Sequence, residues 1–321
     1  MLQYRYVINR LFYLIPVLII MSIIVFASLH LMPGDAADLM LGQQATAEEK
    51  ATLYKKLGLD RPLIYQYLSW AADVIRGDFG NSLVTNQSVL ATILERLPAS
   101  MLLGSAAGLI SITIGLLMGI IAAVNRGTLK DLVVLISALM GVSVPIFWLG
   151  VFLIMIFSLR LSIFPSIGHV SLLENFGEGL RHLALPAITL GANMAGAMTR
   201  VTRSEMIEQL SKEYVTTAWA KGLSGKVVVC KHALRNALIP VVTLTGIQLG
   251  AMMGGTVVVE TIFGWPGVGS LLMDAILGRD FVMAQGTVLF IAGIFVLVNL
   301  LVDITYTLLD PQIVLGGGER R

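Results

Sequence analysis

Six stretches of this chain run without Asp, Glu, Lys or Arg for the thickness of a bilayer or close to it. They are Leu11–Leu31, Leu97–Val124, Leu132–Leu159, Leu183–Thr199, Asn236–Val259 and Phe281–Val302. About 20 apolar residues in a helix cover the roughly 30 Å of membrane hydrocarbon. A soluble domain carries about 25% charged residues, whereas this chain of 321 residues carries 13%. So few charges cannot cover a water-facing surface, and a lipid-facing surface needs none. The fold class expected is therefore all-α integral membrane, with six transmembrane helices. The fourth stretch is only 17 residues long, so it is expected to borrow from its flanks, with Arg200 snorkelling to the interface. The first is read as a retained span, because its 21 uncharged residues exceed the h-region of about 7–15 in a signal peptide. It runs directly into Met32-Pro33-Gly34-Asp35, which is not a small-residue cleavage site.

Lys and Arg in the short loops set the orientation. With the N-terminus inside, the inner segments hold 13 basic residues, and the two short outer loops hold three, Arg160, Arg181 and Arg279. The long loop after the first span exceeds the length over which the rule counts. Both termini are thus expected inside. Glycines at four-residue spacing (Gly104/Gly108, Gly115/Gly119, Gly246/Gly250/Gly254) put small faces on three spans, a signal for close helix packing rather than chemistry. Pro16, Pro145, Pro186 and Pro240 lie within or near span ends, where a broken helix is tolerated if neighbours satisfy the freed carbonyls.

Several chemistries are excluded. Cys230 is the single cysteine, so no internal disulfide forms, and His30, His169, His182 and His232 show no ligand spacing. No GxSxG, HExxH or Walker-type loop occurs, so the chain hydrolyses nothing by those routes and binds no ATP through a phosphate loop. No charge sits at mid-depth in a span, which argues against a proton-driven pump. Glu260 and Asp303 lie at span ends and read as interface residues or helix-end partners. A membrane machine with no energy source of its own points to an energy-supplying partner.

Three segments lie outside the membrane. In the outer loop, 46–57 is expected as a helix with Thr46 as N-cap, Glu49 in the capping-box position and Gly58 as its stop. Residues 62–76 are expected as a second helix, Pro62 in its first turn and Tyr67, Trp70 and Val74 on one face. The inner loop 200–236 reads as a short helix Glu213–Lys221, a stop at Gly222, and a second helix capped by Ser224 that runs into the fifth span. This is either a rigid lever for a soluble partner or an ordinary basic loop. The outer loop 260–280 is a re-entrant piece or a long connection, with Phe263 and Trp265 suited to the interface.

Ordered motifs then carry a resemblance. They are Pro33-Gly34-Asp35, Leu57-Gly58-Leu59-Asp60-Arg61-Pro62, Gly77-Asp78-Phe79-Gly80-Asn81-Ser82, Glu213-Tyr214-Val215, Lys221-Gly222-Leu223-Ser224, His232-Ala233-Leu234-Arg235-Asn236-Ala237, Glu260-Thr261-Ile262-Phe263 with Trp265-Pro266-Gly267-Val268-Gly269, and Asp310-Pro311. The chain resembles the B-type permease subunits of bacterial ABC importers in the dipeptide/oligopeptide/nickel group. The resemblance implies a type I ABC importer (MetI-like) core at 97–310 with the coupling loop 200–236. An N-terminal transmembrane helix 1–31 and an extracytoplasmic cap 32–96 precede it, and a cytoplasmic tail 311–321 ends the chain. It also implies a bacterial inner-membrane location and no catalysis or cofactor in this chain, ATP and Mg being bound by partner ATPases. The implied partners are a second homologous permease, two cytoplasmic ATPase subunits and an extracytoplasmic solute-binding protein. The ATPase-coupling positions it implies are Glu213, Tyr214, Thr217, Ala218, Lys221, Gly222, Leu223 and Ser224. The chain departs from the wider EAA-x3-G pattern at Thr216-Thr217. The solutes implied are peptides, with glutathione, nickel or nickel chelates as alternatives.

Overall fold

The computed structural model describes residues 2–31 and 61–309. The expected helix 46–57 with its Thr46 cap and Gly58 stop, Pro33-Gly34-Asp35 and Asp310-Pro311 lie outside the described residues. In chain order the elements are α1 (Leu2–Leu31), α2 (Leu63–Ile75), α3 (Val89–Val124), α4 (Leu129–Ser143) and α5 (Ile146–Leu153), which continues as a π-helical stretch Ile154–Arg160. Then come α6 (Phe176–Leu210), α7 (Glu213–Ala220), a turn Gly225–Val227 with a π-helical stretch Val228–Ala233, α8 (Leu234–Phe263), α9 (Val268–Leu277) and α10 (Phe281–Leu309). Among the described residues no strand occurs, only an isolated bridge between Asn81 and Ser88.

The centre is the pair α3 and α6, and the glycine seams explain its closeness. A Cβ on Gly115 would collide with Met198, and one on Gly119 with Thr202; one on Gly191 would come within 2.8 Å of the Ala107 carbonyl. α8 meets α10 in the same way, across Gly246 against Val302 and Gly250 against Asn299. Leu103, Ala107, Leu185, Leu190, Val259, Phe263 and Trp265 form the main buried cluster between these helices. Leu109, Leu117, Leu139, Val151, Ile247 and Leu297 remain exposed on the outside, as a surface solvated by hydrocarbon permits.

Among the described residues two helices, Val89–Val124 and Phe281–Val302, are long and apolar enough to cross a membrane by themselves, and up to five spans result if each of three bent pairs counts as one. The third expected span is one of those pairs: α4 and the helix Ile146–Arg160 meet at 105°. Pro145 supplies the break, and the side chain of Asn193 on α6 donates to the freed Gly141 carbonyl at 3.1 Å. Pro240 marks a gentler bend of 51°, whereas Pro186 lies inside an unbroken α6. Pro62 sits one residue before α2 rather than in its first turn, its carbonyl taking the Tyr65 N–H at 2.9 Å. Tyr67 and Trp70 do share a face, which packs on Phe26 of α1.

Candidate functional site

The loop from the end of α6 to the start of α8 folds around a small apolar cluster of its own. Val215 and Ala218, three residues apart on one face of α7, are buried against Val228, with Leu210 and Leu223 partly buried beside them. The helix ends because Gly222 adopts φ +75°, and a Cβ there would meet nothing within 4 Å. Glycine is therefore required for backbone conformation, not for space. Ser224 occupies the N-cap position of the next turn, but its side chain makes no capping bond, contrary to the expectation. The second helix does run on continuously into α8.

Tyr214 ties this loop to both flanking helices. Its hydroxyl donates to Gln209 Oε1 at 3.0 Å and accepts from Asn236 Nδ2 at 3.1 Å. A second tie lies along α6. Arg203 donates from Nε and from the guanidinium terminus to the two oxygens of Asp131, at 2.6 and 2.8 Å, and the Gly127 N–H adds a bond of 2.9 Å. The Arg203 bonds first, and then the Gly127 bond, hold the Asp131 carboxyl well below the usual range, at about 2.

The eight expected coupling positions thus divide. Glu213, Thr217, Lys221, Gly222 and Ser224 are exposed, whereas Ala218 is buried and Leu223 half-buried. Tyr214 is partly exposed with its hydroxyl turned back into the loop. One residue was missed. Trp219, one helical turn on from Val215, is 50% exposed at the edge of the buried cluster, and its ring rests against Gly225. A large aromatic among basic residues was the signal.

The opposite end of the helices is built differently. Glu260, at the end of α8, is fully buried. Its Oε1 accepts from Ser100 Oγ at 2.7 Å and its Oε2 from the Ser270 N–H at 2.9 Å. The Val268 N–H donates to Ser100 Oγ at 2.8 Å. The carboxylate therefore caps the start of α9, where unpaired N–H groups attract negative charge. A Cβ on Gly267 would collide with it. Glu260 is thus a helix-end partner rather than an interface residue. Phe263 and Trp265 are not at the interface either. Both are buried, and the Trp265 indole N–H donates to the Ala99 carbonyl at 2.9 Å. Burial, more than the nearby His182, pushes His169, edge-on to this indole, below the usual histidine range. Asp280 acts likewise at the next helix, taking the Met283 N–H at the start of α10, the Leu83 N–H at 3.2 Å and the Ser82 hydroxyl. Among the described residues no group of three or more His, Cys, Asp or Glu could hold a metal ion.

Residues 115–315 match the family of the binding-protein-dependent transport system inner membrane component, and residues 1–104 match the N-terminal region of such membrane components. The chain belongs to this family. Among its relatives are a glutathione transport system permease protein of Shigella flexneri, 41% identical over 96% of this chain and 98% of its own, and a di/tripeptide transport system permease protein of Pseudomonas aeruginosa, 42% identical with the same coverage. A peptide transport system permease protein of Brucella suis is 42% identical over 96% of this chain and 98% of its own. The fold is shared with a solved methionine ABC transporter in inward-facing form, with TM-score 0.57 and 18% identity over 68% of this chain and 96% of that one. The permease is accordingly a non-catalytic inner-membrane subunit of an ABC importer of the B type, and ATP hydrolysis falls to partner ATPases.

Proposed function

We propose that the permease forms half of the path for a short peptide, di- or oligopeptide in class, handed over by a solute-binding protein on the outer side. The observation that carries this reading is the agreement of relatives 41–42% identical over nearly the whole chain, named for glutathione, di/tripeptide and peptide transport. Glutathione is itself a short peptide. Nickel and its chelates are the alternative within the same role. Under this reading a second, homologous permease completes the path, the chain crosses the membrane six times with both termini inside, and the cap 32–96 faces the binding protein. ATP and Mg act only in the two partner ATPases.

The α6–α8 loop is where the permease meets an ATPase. α7 and the turn after it leave Glu213, Thr217, Lys221, Gly222 and Ser224 exposed to the partner, with Trp219 half-exposed at the edge of the apolar cluster. Ala218 and Leu223 hold the loop's shape from within. Tyr214 passes its movement to α6 and α8 through two side-chain hydrogen bonds. Calorimetry of the cognate binding protein against dipeptides, glutathione and nickel complexes tests the solute, followed by ATP-dependent uptake of the binder into proteoliposomes. Saturable peptide binding with matching uptake supports the reading. Binding of nickel alone overturns the peptide class and leaves the permease role standing.

A further inference from the structure

α1, α2 and α10 enclose a cavity of about 480 Å³ that the transport reading does not use. Ile15 and Ile19 of α1 form one wall, Trp70 and Val74 of α2 a second, and Phe290 and Leu297 of α10 the third. Its volume is that of a ligand site, roughly 300–1,000 Å³, but its chemistry admits no polar ligand. The two hydroxyls in the lining, Ser22 and Tyr67, are 2.8 Å apart and bonded to each other, and Ser22 also donates to the Ile19 carbonyl. A peptide placed here would bury unpaired N–H and C=O groups. The lining offers water few polar partners, and cavities this apolar favour hydrocarbon over water.

The wall has one further property. Gly293 lies in it, and a Cβ there would meet nothing within 4 Å. Close-packed interiors do not leave such room beside a glycine. Elsewhere on α8 and α10 glycines are pressed against a neighbouring helix, as Gly246 is against Val302. Gly293 instead widens a space between two helices whose flanking side chains, Ile20, Ile23 and Ile24 on α1 and Leu301 on α10, are exposed. Lining residues Ile15, Leu18, Ile19, Ile75 and Leu297 are themselves exposed, so the cavity opens onto this apolar surface.

We propose that this cavity is a lipid site holding one acyl chain of a bilayer phospholipid, which fills the space between the N-terminal helices and α10. The proposal rests on α1 and α10 lying in the bilayer and is independent of the solute and of the ATPase contact. The bound chain joins α1 and α2 to the permease core through hydrophobic contact, where direct packing between them is incomplete.

The test uses the assembled transporter in detergent-free nanodiscs of phosphatidylethanolamine containing a phosphatidylglycerol with a diazirine on one acyl chain. After irradiation, labelled peptides are mapped by mass spectrometry. The expected result is labelling of residues 15–22, 70–79 and 289–297 above that of the segment 132–139 on α4, where Leu132, Val133, Ile136 and Leu139 are exposed. Gly293→Leu, which fills the space, should abolish the excess and leave labelling of α4 and the melting temperature of the complex unchanged. Gly293→Ala should diminish it and serves if the leucine variant does not assemble. Labelling no higher than at α4, or unchanged in the assembled variants, overturns the proposal. So do crosslinks that place residues 32–60 or the second permease in the cavity. In a parallel arm, free diazirine fatty acid that displaces the labelled phospholipid overturns the assignment to a phospholipid.

Discussion

The two ends of the permease are fastened by different chemistry. At the end away from the α6–α8 loop, buried carboxylates do the fastening: Glu260 binds α3 to the start of α9, and Asp280 binds the segment 82–83 to the start of α10. At the α6–α8 loop, α7 is held by a few apolar side chains and one shared tyrosine hydroxyl, while most of its surface is open. A buried carboxylate with several donors is costly to disturb, because every donor it leaves is stranded without water. An exposed helix on a small apolar foot is cheap to displace. The difference fits one end that moves as one piece and a loop that is cheap to displace.

The largest test breaks the carboxylate fastening. Glu260→Ala strands Ser100 and the Ser270 N–H in a dry setting, and an unsatisfied buried group costs about 1–3 kcal/mol. The variant is expected to lower the melting temperature of the purified permease sharply, with Glu260→Gln intermediate. A melting curve unchanged in Glu260→Ala would show that this end is not held this way. Next is Trp219→Ala, which should leave the melting temperature alone but weaken ATPase association about tenfold, the effect of losing about 1.4 kcal/mol from an aromatic anchor. Co-purification with titrated ATPase measures it, and intact association would move the contact off this face of α7. Tyr214→Phe should cost about 1 kcal/mol of local stability and lower transport per ATP hydrolysed, with ATPase binding retained. Equal loss of binding and coupling would mean that Tyr214 touches the partner directly.

The smallest effect concerns pH. Asp131 titrates at about 2 in the folded chain and at about 3.9 when unperturbed. The unfolded chain therefore binds the proton first, and the contribution of the Arg203 bridge is complete above about pH 4 and fades as pH falls towards 2. Arg203→Gln should remove that part of the acid sensitivity, read as a flatter melting temperature between pH 5 and pH 3.

How much of this was legible depended on sequence distance. The stop at Gly222, the run of the second helix into α8 and the tight glycine seams are local features, and the chain's pattern shows them directly. The face of α7 was half legible: Val215 and Ala218 repeat at helical spacing, but nothing local marks Ala218 as the inward side. The Glu260 network joins residues 160 apart, and Ser100 looks like any other serine in a span. Trp265 was misplaced for the same reason. An indole is amphipathic enough for the interface, and only the fold brings the Ala99 carbonyl to its N–H. The ion pair of Asp131 with Arg203 was hidden because each residue, taken alone, is a charge at a span end.

The bend at Pro145 has a consequence for the surrounding lipid. α4 has 15 residues, about 22 Å of helix, and its continuation beyond the 105° turn points elsewhere. Neither limb alone matches a hydrocarbon slab of about 30 Å. A bilayer of uniform thickness cannot seal evenly around that side, where Phe147, Trp148 and Val151 are exposed. Either the membrane thins there, at a cost of fractions of a kcal/mol per Å, or another subunit covers the gap. Transport that varies with acyl-chain length would mark the first arrangement, and indifference to bilayer thickness the second.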